Sequence, residues 1–153
     1  MRNTSATKTR TMLQLDSGID LRDAPPKELS AKQAHELRRL LDASSRTFAL
    51  TIPVLPGGLQ GSVELAYLLL RAADAIEDAS HLPLTNRLQL LDRLRRVLLG
   101  SEHATELIEE CERFAERLPP GGERSVLMQL SLLLLALNLQ RPAAAEAIRT
   151  HCE

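Results

Sequence analysis

Four polar side chains recur along one apolar segment of the chain at the spacing of a single helical stripe. Tyr67, Arg71, Asp74 and Asp78 stand at positions i, i+4, i+7 and i+11, and Glu77 lies at the flank of this stripe. Because an α-helix has about 3.6 residues per turn, side chains at this spacing share one face. The sequence therefore predicts one helix that carries Tyr, Arg and carboxylates along a line.

This combination of residue types suits the binding of a metal and a phosphate. Two carboxylates one turn apart repel each other, and a hard cation relieves the repulsion. Mg²⁺ is commonly held by one or two protein carboxylates together with phosphate oxygens and waters. Arg71 can add a bidentate contact to a phosphate. The pattern thus fits a Mg²⁺-bridged diphosphate, and the cation would also stabilise the charge on a departing pyrophosphate.

Two plainer interpretations of the same residues stay open. A DxxED pattern on a helix is often a solvated acidic face, and an Arg–Asp pair at i, i+3 is often an intrahelical salt bridge of small effect. The neighbouring residues between 65 and 76 are mostly Leu and Ala, which predicts a helix that is buried nearly all round. A polar stripe on such a helix is costly unless it faces a cavity.

The elements that position the stripe are predicted to be helices. The 153 residues include 32 Leu and 18 Ala, against 4 Val, 5 Ile and three aromatic residues. Leu and Ala favour helices, whereas sandwiches and barrels need β-branched and aromatic side chains. We therefore predict an all-α protein. A net charge of −1 and the lack of an aromatic platform argue against a nucleic-acid partner.

Caps and breakers divide the chain into seven predicted helical segments. Ser30 and Gln33 form a predicted capping box, Pro56-Gly57-Gly58 a turn, Gly100 a helix stop, and residues 119–122 a strong break. The segments are 31–41, 44–55, 59–79, 83–100, 102–118, 123–140 and 143–153. Residues 1–28 are expected to be a flexible lead-in, and residues 29–153 to form one helical unit.

The cellular setting follows from cysteine usage and hydropathy. Cys111 and Cys152 are too few for a disulfide framework, so we expect reduced thiols in the cytoplasm. The most apolar stretch, LSLLLLALNL, has ten residues and is too short to span a bilayer. It is predicted to be part of a buried core helix.

The segment YLLLRAADAIED resembles the first aspartate-rich motif of the squalene/phytoene synthase family. Upstream, Ser45-Arg46-Thr47-Phe48-Ala49 resembles the S-R-[ST]-F-A segment of that family, about twenty residues before the motif. The Glu-Asp ending of the motif is more similar to squalene synthases than to phytoene synthases. The resemblance runs from about residue 30 to the end, and the downstream helices match only in pattern.

The resemblance implies an isoprenoid-synthase-type helical bundle around a central cavity. Such proteins condense two prenyl diphosphates head to head through a cyclopropyl diphosphate. The substrate would be farnesyl or geranylgeranyl diphosphate, with Mg²⁺ as the metal, and in squalene synthases NADPH reduction follows. The products are apolar, so loose peripheral association of the parent protein with a membrane is also expected.

The resemblance also assigns roles by position. Asp74 and Asp78 would bind Mg²⁺ with support from Glu77, and Arg71 would contact the diphosphate. Tyr67 would lie near the reacting carbons, so Tyr67 and Arg71 are the candidate catalytic residues. The hydroxyl and guanidinium groups before Phe48 would bind diphosphate oxygens, namely Ser45, Arg46 and Thr47. Taken alone, Ser45 is better explained as a helix N-cap and Arg46 as a surface cation, and Phe48 is expected to be a core residue on either interpretation.

One departure from the family pattern stands out. The family uses two aspartate-rich motifs on facing helices, and nothing after Asp78 supplies the second. The chain also ends at His-Cys-Glu within a helical pattern, so we expect it to be the N-terminal part of a longer enzyme; a terminal helix that simply frays is the alternative. A non-catalytic helical scaffold derived from the family is the alternative function.

Overall fold

The computed structural model describes residues 28–151, which form eight α-helices and one short 3₁₀ turn, Ile52–Val54. No strand occurs among these residues, and the predicted all-α class is confirmed. Residues 1–27 of the predicted lead-in, Cys152 and the final residue lie outside the described range. The helices are α1 (Ala31–Ser44), α2 (Arg46–Thr51), α3 (Gly57–Glu77), α4 (Leu84–Leu98), α5 (Ala104–Ala115), α6 (Gly122–Met128), α7 (Leu130–Asn138) and α8 (Pro142–Thr150).

Local signals set several helix ends where the sequence predicts them. The Ser30 side chain accepts a hydrogen bond from the backbone N–H of Gln33, whose side chain accepts one from the Ser30 N–H, which completes the capping box of α1. Gly100 has a φ of +75° and follows α4. Its N–H donates to Val97 and the N–H of Ser101 donates to Arg96, which is a Schellman ending that glycine favours.

Helix α3 is the centre of the fold. It packs against α1, α4, α6, α7 and α8 and against the 3₁₀ turn. One face of α3 is fully covered by these neighbours, and it consists of small and aliphatic side chains, namely Leu65, Leu68, Leu69, Ala72, Ala75 and Ile76. The candidate stripe lies beside this face, so the core directly fixes the position of the stripe.

The leucine-rich segment differs from its prediction. A single helix over 123–140 is wrong, because α6 ends at Met128 and α7 begins at Leu130. Gln129 between them has φ −111° and ψ 18°, which interrupts the helix without glycine or proline. The interruption lets α6 pack against α1, α3 and α5 while α7 packs against α3 and α5. Among the described residues, no helix is both long and apolar enough to cross a membrane.

Glycines lie at the start of two helices, α3 and α6. Gly57 and Gly58 lie in the first turn of α3, directly after Pro56, so the predicted turn there is shorter than expected. Gly122 begins α6 where this helix meets the end of α1. A Cβ atom at Gly122 would lie 2.6 Å from the carbonyl oxygen of Ala43. Glycine at this position therefore permits the close approach of α6 to α1.

Candidate functional site

The predicted polar stripe is present on α3. Tyr67, Arg71 and Asp74 are half-buried, and Asp78 is exposed at the C-terminal end of the helix. The Nη1 of Arg71 donates to Oδ2 of Asp74 at 3.0 Å. The intrahelical salt bridge that the sequence left open therefore forms, and it holds the guanidinium over the stripe.

Arg71 also reaches a second helix. Its Nη2 lies 3.4 Å from Oε1 of Glu123, in the first turn of α6. The side chain of Arg71 is 25% exposed and that of Glu123 is 47% exposed. Sequence reasoning placed Glu123 only at the start of a helix, because 52 residues separate it from Arg71 and no spacing rule connects them.

Negative charge collects in the last turn of α3. Asp74, Glu77 and Asp78 lie there, and this turn carries no basic residue. The C-terminal end of a helix already bears partial negative charge from its unpaired carbonyl groups. One arginine of α4 compensates in part, since Nη1 of Arg87 donates to the Glu77 carbonyl at 2.5 Å. The electrostatics of this end therefore favour an additional cation.

Two carboxylates of α3 are the candidate ligands of Mg²⁺. Asp74 and Asp78 offer hard oxygen ligands one turn apart, and both reach solvent. Within residues 28–151, no group of three or more His, Cys, Asp or Glu side chains is placed to hold a metal ion by itself. Mg²⁺ needs only one or two carboxylates when phosphate oxygens and waters complete its shell. The two residues thus fit Mg²⁺ that arrives together with a diphosphate.

The Ser45-Arg46-Thr47 segment opens α2. The Oγ of Ser45 accepts a hydrogen bond from the N–H of Phe48 at 3.3 Å, so Ser45 is the N-cap of this helix. Arg46 and Thr47 are exposed. Ser45 is thus a helix cap and Arg46 a surface cation, as the plainer interpretation of the sequence predicts. The exposed side chains of Arg46 and Thr47 remain accessible to an anion.

An aromatic contact joins α2 to the stripe. The rings of Phe48 and Tyr67 have centroids 4.4 Å apart and planes inclined by 34°. The prediction that Phe48 is a core residue is wrong, because it is 44% exposed. Among the described elements α2 packs chiefly against α1 and the 3₁₀ turn, which leaves part of this ring in water. The contact nevertheless brings the two family-like segments together at Tyr67.

Glu64 belongs to the stripe and was missed by the sequence reasoning. It lies one turn before Tyr67, and it is the buried charged residue of the described region, at 7% exposure. Its Oε2 lies 3.4 Å from Nη2 of Arg38 on α1, while its Oε1 is buried without a hydrogen-bond partner among the described residues. Burial raises the pKa of Glu64; the charge of Arg38 lowers this pKa and that of Asp42 raises it. The signal was available, since Glu64 stands seven residues before Arg71.

The prediction that α3 is buried nearly all round is wrong. Leu59, Val63 and Leu70 are 53%, 37% and 51% exposed, because the described helices cover this side of α3 only in part. With Ala144 and Ala147 of α8 they line an open apolar groove of about 540 Å³. The groove lies on α3 next to the stripe, whereas the leucines of α7 are mostly core.

Comparisons with known proteins indicate the family of this chain. A family model described as squalene/phytoene synthase matches residues 41–126, which include both family-like segments. The squalene synthase of Schizosaccharomyces pombe is 45% identical over 53 residues, which cover 35% of this chain and 12% of the relative. That of Yarrowia lipolytica is 31% identical over 126 residues, which cover 80% of this chain and 26% of the relative.

A third relative extends the same pattern. The squalene synthase of Saccharomyces cerevisiae is 30% identical over 110 residues, which cover 72% of this chain and 23% of the relative. The chain therefore spans about a quarter or less of the length of the curated relatives it matches. The match over residues 41–126 covers more than half of the 153 residues, so the resemblance predicted from the motifs is confirmed.

Proposed function

Because the chain belongs to the squalene/phytoene synthase family, we propose that α3 supplies the first metal and diphosphate site of a head-to-head prenyl synthase. The reaction is the Mg²⁺-dependent condensation of two farnesyl diphosphates to presqualene diphosphate and then squalene. The observation that carries this proposal is the stripe of Tyr67, Arg71, Asp74 and Asp78 on one face of α3, within the matched segment. The choice of farnesyl over geranylgeranyl diphosphate follows the curated relatives, which are squalene synthases.

The carboxylates of Asp74 and Asp78 would hold Mg²⁺, with Glu77 in support. A cation held by these carboxylates would supply positive charge that offsets the charge on the diphosphate and on the departing pyrophosphate. Arg71 would donate N–H groups to the diphosphate oxygens, because a guanidinium matches phosphate geometry in a bidentate contact. Metal and anion would thus be bound by neighbouring turns of one helix.

Tyr67 would lie beside the reacting carbons. Its ring contacts Phe48 at the start of the stripe, and an aromatic face attracts a developing cation. The three residues that directly precede Phe48 would bind further diphosphate oxygens, namely Ser45, Arg46 and Thr47. The apolar groove beside the stripe offers a surface for a prenyl chain.

The complete reaction is a proposal for the protein as a whole. The chain covers about a quarter or less of its curated relatives, and its described residues contribute one aspartate-rich motif. A second motif would come from outside residues 28–151. NADPH reduction is likewise expected from the family alone, and we assign no residue of this chain to NADPH.

Titration calorimetry tests the site directly. Pyrophosphate is titrated into the protein with and without saturating Mg²⁺, and the double variant Asp74→Asn, Asp78→Asn is compared with the wild type. We expect at least about tenfold weaker Mg²⁺-dependent binding in this variant, which is about 1.4 kcal/mol. The matched control Glu109→Gln, Glu116→Gln removes two exposed carboxylates, one on α5 and one directly after this helix, and should stay within about twofold of the wild type.

Unchanged Mg²⁺-dependent binding in the double variant would refute the assignment of the metal ligands. Release of pyrophosphate from farnesyl diphosphate, measured with the same variants, extends the test to turnover. A variant that binds pyrophosphate normally and still turns over farnesyl diphosphate would exclude Asp74 and Asp78 from catalysis.

A further inference from the structure

Glu123 stands at a position where it can control the availability of Arg71. It lies in the first turn of α6, and its Oε1 is 3.4 Å from Nη2 of Arg71. The other terminal nitrogen of Arg71, Nη1, lies 3.0 Å from Oδ2 of Asp74. Both ends of the guanidinium therefore already face a carboxylate of the protein.

The contacts of Arg71 with Asp74 and Glu123 occupy N–H donors that a phosphate would use. A guanidinium has five N–H groups, and bidentate binding of a phosphate uses two parallel N–H donors on one edge. Nη1 of Arg71 contacts Asp74, and Nη2 contacts Glu123. Both bidentate edges that include Nη2, namely Nη1–Nη2 and Nε–Nη2, use the nitrogen that contacts Glu123, so a diphosphate on either edge competes with this carboxylate.

The two carboxylates differ in what else can hold them. Asp74 lies in the predicted metal site, and a cation there would draw its oxygens away from Arg71. Among the described residues Glu123 forms its ion pair with Arg71 alone, and the N-terminal end of α6, which also attracts this carboxylate, does not draw it toward the metal site. Glu123 is thus the remaining counter-ion of Arg71 at the moment when the anion arrives.

The position of Glu123 is fixed by the fold rather than by a mobile loop. The residue before it, Gly122, lies against the backbone of Ala43 at the end of α1, and α6 packs against α1, α3 and α5. The backbone of Glu123 is therefore held beside the stripe, within reach of Arg71.

We propose that Glu123 is an affinity-determining residue, a resident carboxylate that competes with the diphosphate for the guanidinium of Arg71. This inference rests on the proposed function, because it takes Arg71 as the diphosphate-binding residue. Glu123 lowers the affinity for the anion and keeps the guanidinium neutralised and oriented in its absence. Its loss should strengthen anion binding, which is the opposite of what the loss of a ligand does.

The experiment is a double-mutant cycle on pyrophosphate binding at saturating Mg²⁺ and about 0.15 M salt. The proteins are the wild type, Glu123→Gln, Arg71→Gln and the double variant. Exposed ion pairs are weak, so we expect roughly 1.5- to 5-fold tighter binding in Glu123→Gln. In the Arg71→Gln background the same substitution should change binding by less than about 1.5-fold, because the competition is gone.

Two controls separate this role from other effects. Glu109→Gln on α5 makes the same change of net charge at a residue that forms no ion pair within the described region, and it should leave the affinity within about 1.3-fold at this salt concentration. The urea midpoint of Glu123→Gln should match that of the wild type. Equal midpoints exclude a general loosening of α6 as the cause.

The outcomes are distinct. Tighter binding in Glu123→Gln that vanishes without Arg71 supports the proposal. Equal or weaker binding in Glu123→Gln, or an equal gain with and without Arg71, overturns it and leaves the diphosphate site itself in place. No Mg²⁺-dependent pyrophosphate binding by any of the proteins, including the wild type, overturns both this inference and the proposed function.

Discussion

Substitution of Gly122 by alanine is expected to disturb the packing of α6 on α1. The new Cβ atom would lie 2.6 Å from the carbonyl oxygen of Ala43 and 3.0 Å from the Cα atom of Ser44. Ordinary van der Waals contact begins near 3.4 Å. Because both neighbours are backbone atoms of a helix end, no side-chain rotation can relieve the contact, and α6 must move away from α1.

The size of the effect follows from two opposing contributions. Forcing an extra methyl group into a packed site typically costs about 1–3 kcal/mol. Alanine gains up to about 1 kcal/mol over glycine in a helix interior, and less at the first helical residue. We therefore expect a net loss of about 1–2 kcal/mol in the free energy of unfolding, or about 2–8 °C in Tm for a chain of this size.

The neighbouring glycine provides a matched control. Gly121 has an extended backbone with φ 168°, and a Cβ atom there meets nothing within 4 Å. In Gly121→Ala the weaker N-cap and the lower entropy of the unfolded chain oppose each other, so a change within about 0.5 kcal/mol is expected.

Urea unfolding followed by circular dichroism at 222 nm measures both glycine variants against the wild type. A Gly122→Ala protein as stable as Gly121→Ala would refute the close approach of the two helices. The same result would remove the argument that α6 is held firmly by α1.

Two further predictions concern the core and the buried glutamate. Leu133→Ala should cost about 2–5 kcal/mol, because Leu133 is 0% exposed, whereas Leu135→Ala in the same helix, at 41% exposure, should cost under about 1 kcal/mol. Glu64→Gln should be more stable than the wild type at pH 7 and should lose this advantage toward pH 4. The pKa of Glu64 is raised in the folded wild type. The protonated carboxyl group therefore favours the folded wild type below the ordinary pKa of a glutamate, and this contribution is lost as the pH rises through the raised pKa. The glutamine of the variant does not titrate, so the variant keeps its stability over this pH range.

Specific results would contradict each of these predictions. Equal losses in the two leucine variants, measured by thermal unfolding, would mean that α7 does not present Leu133 to the core. A Glu64→Gln protein whose stability relative to the wild type is the same at pH 4 and pH 7 would show that the carboxyl group is not desolvated. The urea titrations for this comparison should be run at several pH values between the two.

The helices that the sequence predicted well are those with local signals at their ends. The capping box at Ser30 and the left-handed Gly100 act within a few residues, so their consequences can be read from neighbouring letters. The interruption at Gln129 has no such signal. It arises because two leucine-rich segments reach different neighbours, and that choice depends on the packing of the whole domain.

In the candidate site, too, the features that depend on local spacing were predictable and the contacts between helices were not. The stripe from Tyr67 to Asp78 follows from helical spacing alone, and the structure places its members on one face of α3. The Arg71–Glu123 and Arg38–Glu64 contacts join different helices, so no spacing rule foretells them. The exposure of Phe48 was mispredicted for a related reason, because residue type indicates a preference for burial but not which element supplies the cover.

The contact between Tyr67 and Phe48 has a practical consequence for spectroscopy. The chain contains one tyrosine and no tryptophan, so its near-ultraviolet absorbance and intrinsic fluorescence come essentially from the ring at the start of the candidate site. A ligand that binds along the stripe changes the surroundings of that one fluorophore. The unlabelled protein therefore carries its own optical reporter of occupancy, and emission from Tyr67 is free of the background that other chromophores would add.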